Sequence, residues 1–205
     1  IETGITEREV SAAIHYEMFA NGGDIPSSPM NFLTGNRSMY AHGEPSDRKL
    51  QNGDFMHLQF GSHYMRYCCT IGRNICLGNP SSRMQEIFNI TKEAGDACIA
   101  EMGPGKQVRT AHNSAVSIIK SAGMDKYRLH MTGYAVGIAF PPTWVEPLIL
   151  DGSSNRTFEP GMVIAVEPPI FSYDDKIGVR LIDNVIITSD GVEVLFKTSR
   201  ELHII

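Results

Sequence analysis

Thr132-Gly133-Tyr134-Ala135-Val136-Gly137 runs directly into Ile138-Ala139-Phe140-Pro141-Pro142, and the reading of this stretch decides the fold. Residues Tyr134 to Ala139 are rich in β-forming types and stop at a Pro-Pro pair, which predicts a strand. Before it lie three expected helices, with loops and strands from Pro29 to Arg73 between the first two. Thr6-x-x-Glu9 reads as a capping box opening an amphipathic helix with Val10, Ile14 and Met18 on one face, stopped by Asn21-Gly22-Gly23. Ser82-x-x-Gln85 predicts a second helix carrying Met84, Ile87, Phe88, Ala94 and Cys98, and Ala111 to Ser121 a third, ended by Gly123. Between the first two helices lie strands at Phe32 to Thr34, Phe55 to Phe60 and Tyr67 to Ile71. After Pro142 the strands are Met162 to Val166, then Gly178 to Leu181 leading into Asn184 to Thr188. Ser189-Asp190-Gly191 is a hairpin turn into Val192 to Phe196.

The chain also echoes itself. Gly4-Ile5-Thr6-Glu7-Arg8-Glu9 before one helix has the layout of Gly105-Lys106-Gln107-Val108-Arg109-Thr110 before another. Asn52-Gly53-Asp54 before an apolar strand mirrors Glu159-Pro160-Gly161-Met162 before a second. Two similar halves around a shared cleft would produce this pattern, and so would chance similarity of Gly-led helix starts.

With 205 residues the chain is expected to form one domain, residues 1–205, large enough for a sizeable core. A net charge of −5 with scattered basic residues gives no basic stripe, so nucleic acid is not an expected partner. No apolar run approaches the ~20 residues needed to span a bilayer, and the opening Ile1-Glu2-Thr3-Gly4 lacks a signal-peptide pattern. Cys68, Cys69, Cys76 and Cys98 lack metal-ligand spacing and are read as free thiols in a reducing, cytoplasmic setting.

Eight segments in order resemble the carboxy-terminal domain of the pita-bread superfamily that holds methionine aminopeptidase, aminopeptidase P, prolidase and creatinase. They are Gly4 to Val10, Ala41-His42-Gly43-Glu44-Pro45, Leu50-x-x-Gly53-Asp54, Gly133-Tyr134-x-x-Gly137, Glu159 to Val163, Val166-Glu167-Pro168, Gly178 to Asp183 and Asp190 to Leu195. The resemblance implies an α+β fold of two pseudo-symmetric helix-plus-strand halves. It also implies a helix before Gly4 and an amino-terminal domain beyond this chain, and a homodimer.

Peptidase members of that superfamily hold two metal ions with two Asp, one His and two Glu. Carried over, the first Asp falls on Gln59, the second on Thr70, the His on Tyr134, the first Glu on Glu167 and the second on Ile182. One anion against two divalent ions is untenable, so neither metal nor another cofactor is expected, unless the alignment slips to Asp183. Creatinase, by resemblance, works without metal through a histidine at the position of His42. That residue is read as acid/base, or as a loop-ordering histidine. Glu167 is expected to bind a cationic amidine, orient water or act as nucleophile, or to be ion-paired with Arg180. Tyr134 donates a hydrogen bond to substrate or fills the metal's volume. Arg73 or Arg180 would anchor a substrate carboxylate, Gln59 and His130 would line the cleft, and His15, His57, His63 and His112 are given solvated or core roles. Trp144 and Glu146 would close over a ligand or pack an edge.

Gly133 to Glu146 and Arg66-Tyr67 through Arg73 resemble the ectoine hydrolase-like branch, whose members often carry the Xaa-Pro dipeptidase name. The implied function is metal-independent hydrolysis of a C–N bond in a small nitrogen-rich carboxylate, ectoine- or creatine-like. The alternative is a non-catalytic peptide- or partner-binding domain, because Gly72 stands where creatinase keeps a second glutamate.

Overall fold

The computed structural model describes residues 1–205 as three helices and eleven strands. Helix α1 (Glu7–Ala20) opens on the expected capping box, with Thr6 and Glu9 bonding each other's backbone. Helix α2 (Ser82–Ala100) starts one residue before the sequence reading, because the Ser81 hydroxyl accepts the Met84 N–H at 3.2 Å while Gln85 bonds Asn89 instead. Helix α3 (Val108–Ser121) begins three residues early and buries Ala111, Ala115 and Ile119 toward α2 in the main core.

Strands β1 (Asn31–Thr34), β2 (Phe55–Tyr64) and β3 (Tyr67–Cys76) form an antiparallel sheet, extended by β11 (His203–Ile204) along β3. A second sheet runs β10 (Val192–Val194), β9 (Asp183–Ile187), β6 (Val163–Val166), β4 (Gly133–Ala135), β5 (Ile149–Leu150). Strands β7 (Ile170–Ser172) and β8 (Ile177–Val179) form a separate hairpin. The strand expected over Tyr134 to Ala139 is shorter: β4 stops at Ala135. Beyond it the chain leaves its sheet, with Gly137 O accepting the Cys68 N–H and Ile138 bridging Tyr67 on the other sheet.

The internal echo is structural. Gly4 N–H donates to Leu50 O and Gly105 N–H to Phe158 O, both at 2.9 Å; Leu50 N–H returns to Ile5 O and Phe158 N–H to Lys106 O. Gly53 and Gly161 both sit in the left-handed region, at φ +88° and +92°. The order β1-β2-β3 in one half corresponds to β4-β6-β9 in the other.

The halves join where Gly72 on β3 exchanges both backbone hydrogen bonds with Ile182, at 3.2 and 3.1 Å. A Cβ on Gly72 would lie 2.5 Å from Ile182 Cγ1 and 2.9 Å from Arg180 O, so only glycine allows this approach. No helix is long and apolar enough to cross a membrane. All four cysteines are free thiols, and Cys68 faces the core while Cys69 is half-buried.

Candidate active site

A cleft of about 460 Å³ opens along the seam between the halves. One half contributes Asn31, His42 and Gln59 to it, and the other His130, Tyr134 and Glu167. Gln59 on β2 and Glu167 just past β6 are separated by 108 positions, the offset that also relates Leu50 to Phe158 and Gly53 to Gly161. These two pseudo-equivalent side chains meet, with Gln59 Nε2 donating to Glu167 Oε2 at 3.3 Å.

Glu167 is 3% exposed. Its Oε2 also accepts the Tyr134 hydroxyl at 3.3 Å, and that phenol oxygen accepts the Trp144 indole N–H at 3.0 Å. Its Oε1 has no hydrogen-bond partner. His130 Nδ1 stands between two oxygens, 3.1 Å from Oε1 and 3.0 Å from Met131 O. Burial raises the Glu167 pKa to about 7, against the opposing pull of Arg180 and the Tyr134 hydrogen bond. Burial beside Glu167 also pushes the Tyr134 phenol well above its ordinary value, so it stays protonated.

His42 stands solvent-exposed at the mouth, its ring 5.6 Å from that of His130. Partial burial against the cleft wall, then the Arg180 charge, then His130, lower its pKa to about 4, so the imidazole is neutral at neutral pH. The loop carrying it is held from three sides. His57 Nε2 donates to Tyr40 O at 3.1 Å, Arg180 donates to Ala41 O, and Gly43 N–H donates to Asn31 Oδ1 at 3.0 Å. Asn31 Nδ2 and Arg180 both bond Gln59 Oε1, which fixes the amide so that its nitrogen faces Glu167.

Arg73 and Arg180 do not take the role expected from the sequence. Arg73 points behind the cleft, bonding Ile182 O, Asp183 at 2.8 Å and the Thr198 hydroxyl. Arg180 is buried, stacked 5.3 Å over the Phe171 ring and spent on Gln59 and Ala41. It acts at a distance, as a fixed cation. Neither lines the cleft, whose lining contains no Lys or Arg. Tyr134 likewise has no proton free for a ligand, since it goes to Glu167.

His57, His63 and His112 are buried and hydrogen-bonded to Tyr40 O, Ser27 Oγ and Leu150 O, which are core roles. Trp144 is buried over Gly61 and lines the cleft, whereas Glu146 packs under Gly137. Sequence reading missed Asn31. Its signal was a carboxamide on a strand that otherwise buries Phe32, Leu33 and Thr34.

The donor set does not fit a dinuclear metal site. Ile182 and Tyr134 pack with Cys68, Ala165 and Trp144 into an apolar cluster, and Thr70 is turned onto Phe60 O at 3.4 Å. The slip to Asp183 is excluded by register: Asp183 faces Arg73 and Arg200, on the opposite side of β9 from the cleft. No group of three or more His, Cys, Asp or Glu side chains comes together as a metal site.

A cleft between two pseudo-symmetric halves, floored by Gln59 and Glu167, defines a pita-bread fold of the creatinase and aminopeptidase kind. The pattern of metallopeptidase family M24 matches residues 1–189, and the chain belongs to that family. It is 34% identical over 203 residues to an Xaa-Pro dipeptidase of Pyrococcus furiosus, covering 98% of this chain and 57% of that protein. It is 32% identical to an uncharacterized peptidase of Bacillus subtilis over 205 residues, all of this chain and 57% of the relative. Among solved structures it is similar to an Xaa-Pro dipeptidase from Bacillus anthracis, with TM-score 0.93 and 35% identity over 100% of this chain and 56% of that one. The prolidase of Pyrococcus horikoshii gives TM-score 0.93 at 33% identity, over 98% and 57%. The chain thus spans little more than half the length of the relatives it matches.

Proposed function

We propose that residues 1–205 form the catalytic-type domain of a metal-independent hydrolase that cleaves a C–N bond in a small, nitrogen-rich compound of the ectoine or creatine kind. The observation that carries this reading is the unpartnered Oε1 of Glu167, buried on the floor of a cleft whose metal-ligand positions are otherwise filled by neutral or apolar side chains. Gln59 and Tyr134 hold the other carboxylate oxygen, leaving Oε1 to accept an N–H of the substrate. The neutral His42 at the mouth takes a proton from water as the water oxygen adds to the substrate carbon. The C–N bond then breaks, and the same proton passes to the departing nitrogen. Gln59, and through it Glu167, is pre-positioned for this by Arg180 and Asn31. Four free thiols suit a reducing, cytoplasmic setting.

One observation favours a binding role instead. Gly72 is pressed against Ile182, so the seam has no room for a second acidic side chain. The two readings separate when the protein and a His42→Ala variant are incubated with ectoine, creatine and Xaa-Pro dipeptides. Turnover of a C–N compound that is lost in the variant supports the hydrolase. Turnover untouched by the change removes His42 from the mechanism, and an absence of turnover supports binding. Two tightly held Mn or Zn ions per chain in the purified protein would overturn the metal-free assignment.

A further inference from the structure

Outside the cleft, the tip of the β2–β3 hairpin carries a bare apolar face. We infer that this face is where two copies of the chain pair. It does not depend on the hydrolase reading, and it gives the homodimer implied by resemblance a definite surface.

Register places the residues. Tyr64 pairs with Tyr67, and Tyr67 bridges Ile138, so three side chains stand in a row across adjacent extended segments. Phe140, two positions on from Ile138, shares their side, while the alternate residues His63, Cys68 and Ala139 are buried on the other. Asp24 bridges His63 on the far side of β2 and brings the exposed Ile25 alongside. Tyr64 is 72%, Met65 79%, Tyr67 47%, Ile138 65%, Phe140 64% and Ile25 68% exposed. At ~200 Å² for a whole side chain of this size, that is roughly 800 Å² of bare surface. The largest patch on an ordinary monomer is about 300–600 Å², and one partner of a standard interface contributes about 800 Å².

The hairpin tip is also strained in a way that presents this surface. Met65 and Arg66 form a two-residue turn with φ +48° and +67°, a conformation that Asn-Gly adopts readily and these residues do not. The turn is held rigid from beneath: Arg66 N–H donates to Asp24 Oδ2 at 3.1 Å, and its guanidinium donates to Ile25 O at 2.9 Å, Ala139 O at 2.6 Å and Ser27 Oγ at 3.0 Å. That guanidinium also stacks 4.9 Å over the Phe140 ring, so its charge is tied to its own chain. Rigid Tyr, Met and Phe anchors lose little freedom on association. The apolar character favours a like copy over an unlike partner, because homodimer interfaces are the more apolar class and a two-fold axis sets the same patch against itself. On a chain of net charge −5, such a face lets two copies meet without bringing like charges together.

The test is sedimentation equilibrium of residues 1–205 from about 1 to 100 µM, the range in which a standard-size interface of ordinary quality dissociates. The protein should be dimeric at the upper end. Met65→Glu and Ile138→Glu, which place like charges against each other across the two-fold, should each weaken the dimer about a hundredfold or more. Met65→Gly removes an anchor while easing the turn, so it should weaken the dimer about tenfold without lowering the melting temperature of the monomer. That variant separates loss of pairing from loss of folding. Leu195→Glu, on the exposed edge of the second sheet beyond β10, should leave the dimer as it is. A monomer at every concentration overturns the inference and leaves the face to an unlike partner. A dimer as strong in Met65→Glu and Ile138→Glu as in the parent, or one weakened equally by Leu195→Glu, overturns it as well.

Discussion

Replacing Glu167 by Gln should stabilise the protein at alkaline pH and leave it nearly unchanged in acid. Glu167 is 3% exposed, and burial lifts its pKa from an ordinary 4.5 to about 7. Between those values the folded state retains a proton that the unfolded chain has released. The unfolded state therefore binds fewer protons, and stability falls as pH rises through the window. A displacement of about 2.5 units at 1.36 kcal/mol each corresponds to about 3 kcal/mol, fully lost above pH 7. Glutamine has the same shape, can still accept from the Tyr134 hydroxyl through its carbonyl oxygen, and does not ionise. The difference in unfolding free energy between the variant and the parent should be near zero at pH 4 and grow to about 3 kcal/mol by pH 9. Urea unfolding of both proteins at half-unit pH intervals, with m-values compared to confirm that both unfold alike, measures it directly. A difference that stays constant across the range, or one that favours the parent at high pH, refutes the assignment of a buried carboxyl titrating near neutrality.

Three shorter predictions follow from other parts of the structure. Gly72→Ala forces a methyl group against Ile182 and Arg180 O, and should cost about 1–3 kcal/mol in chemical denaturation by overpacking the seam. Arg73→Ala strips a buried partner from Asp183, leaving only Arg200, and should destabilise by about 3 kcal/mol in urea unfolding. Adding 1 mM Mn²⁺ should leave the melting temperature where it is, whereas even one site of micromolar affinity would add about 4 kcal/mol and raise it visibly.

Much of this architecture was legible in the sequence, for identifiable reasons. The Thr6–Glu9 capping box is a local rule and came out as read. The two Gly-led helix starts and the paired Gly53 and Gly161 turns are local as well, and their hydrogen bonds repeat between the halves. Gln59, Tyr134 and Glu167, placed in the cleft by the order of the motifs, do line one cleft. Fates of long side chains were not legible. Arg73 and Arg180 lie near the cleft in sequence terms, yet which side each guanidinium takes depends on partners about 110 to 139 positions away, Asp183 and Ala41. The strand after Tyr134 was overextended for the same kind of reason. Residues 136–139 have strand-forming character, but Gly137 and Ile138 find their backbone partners on the other sheet. Asn31 was missed because its role comes from joining Gly43 and Gln59, a relation that no spacing encodes.

Trp144 is the single tryptophan of the chain, and it lies in the cleft wall, its indole N–H held by the phenol that in turn holds Glu167. Every photon of tryptophan emission from residues 1–205 therefore originates two hydrogen bonds from the carboxyl group on the cleft floor. Ionisation of that group or arrival of a ligand beside it changes the field on the indole, so the intensity and wavelength of its fluorescence read the state of the site without any added label.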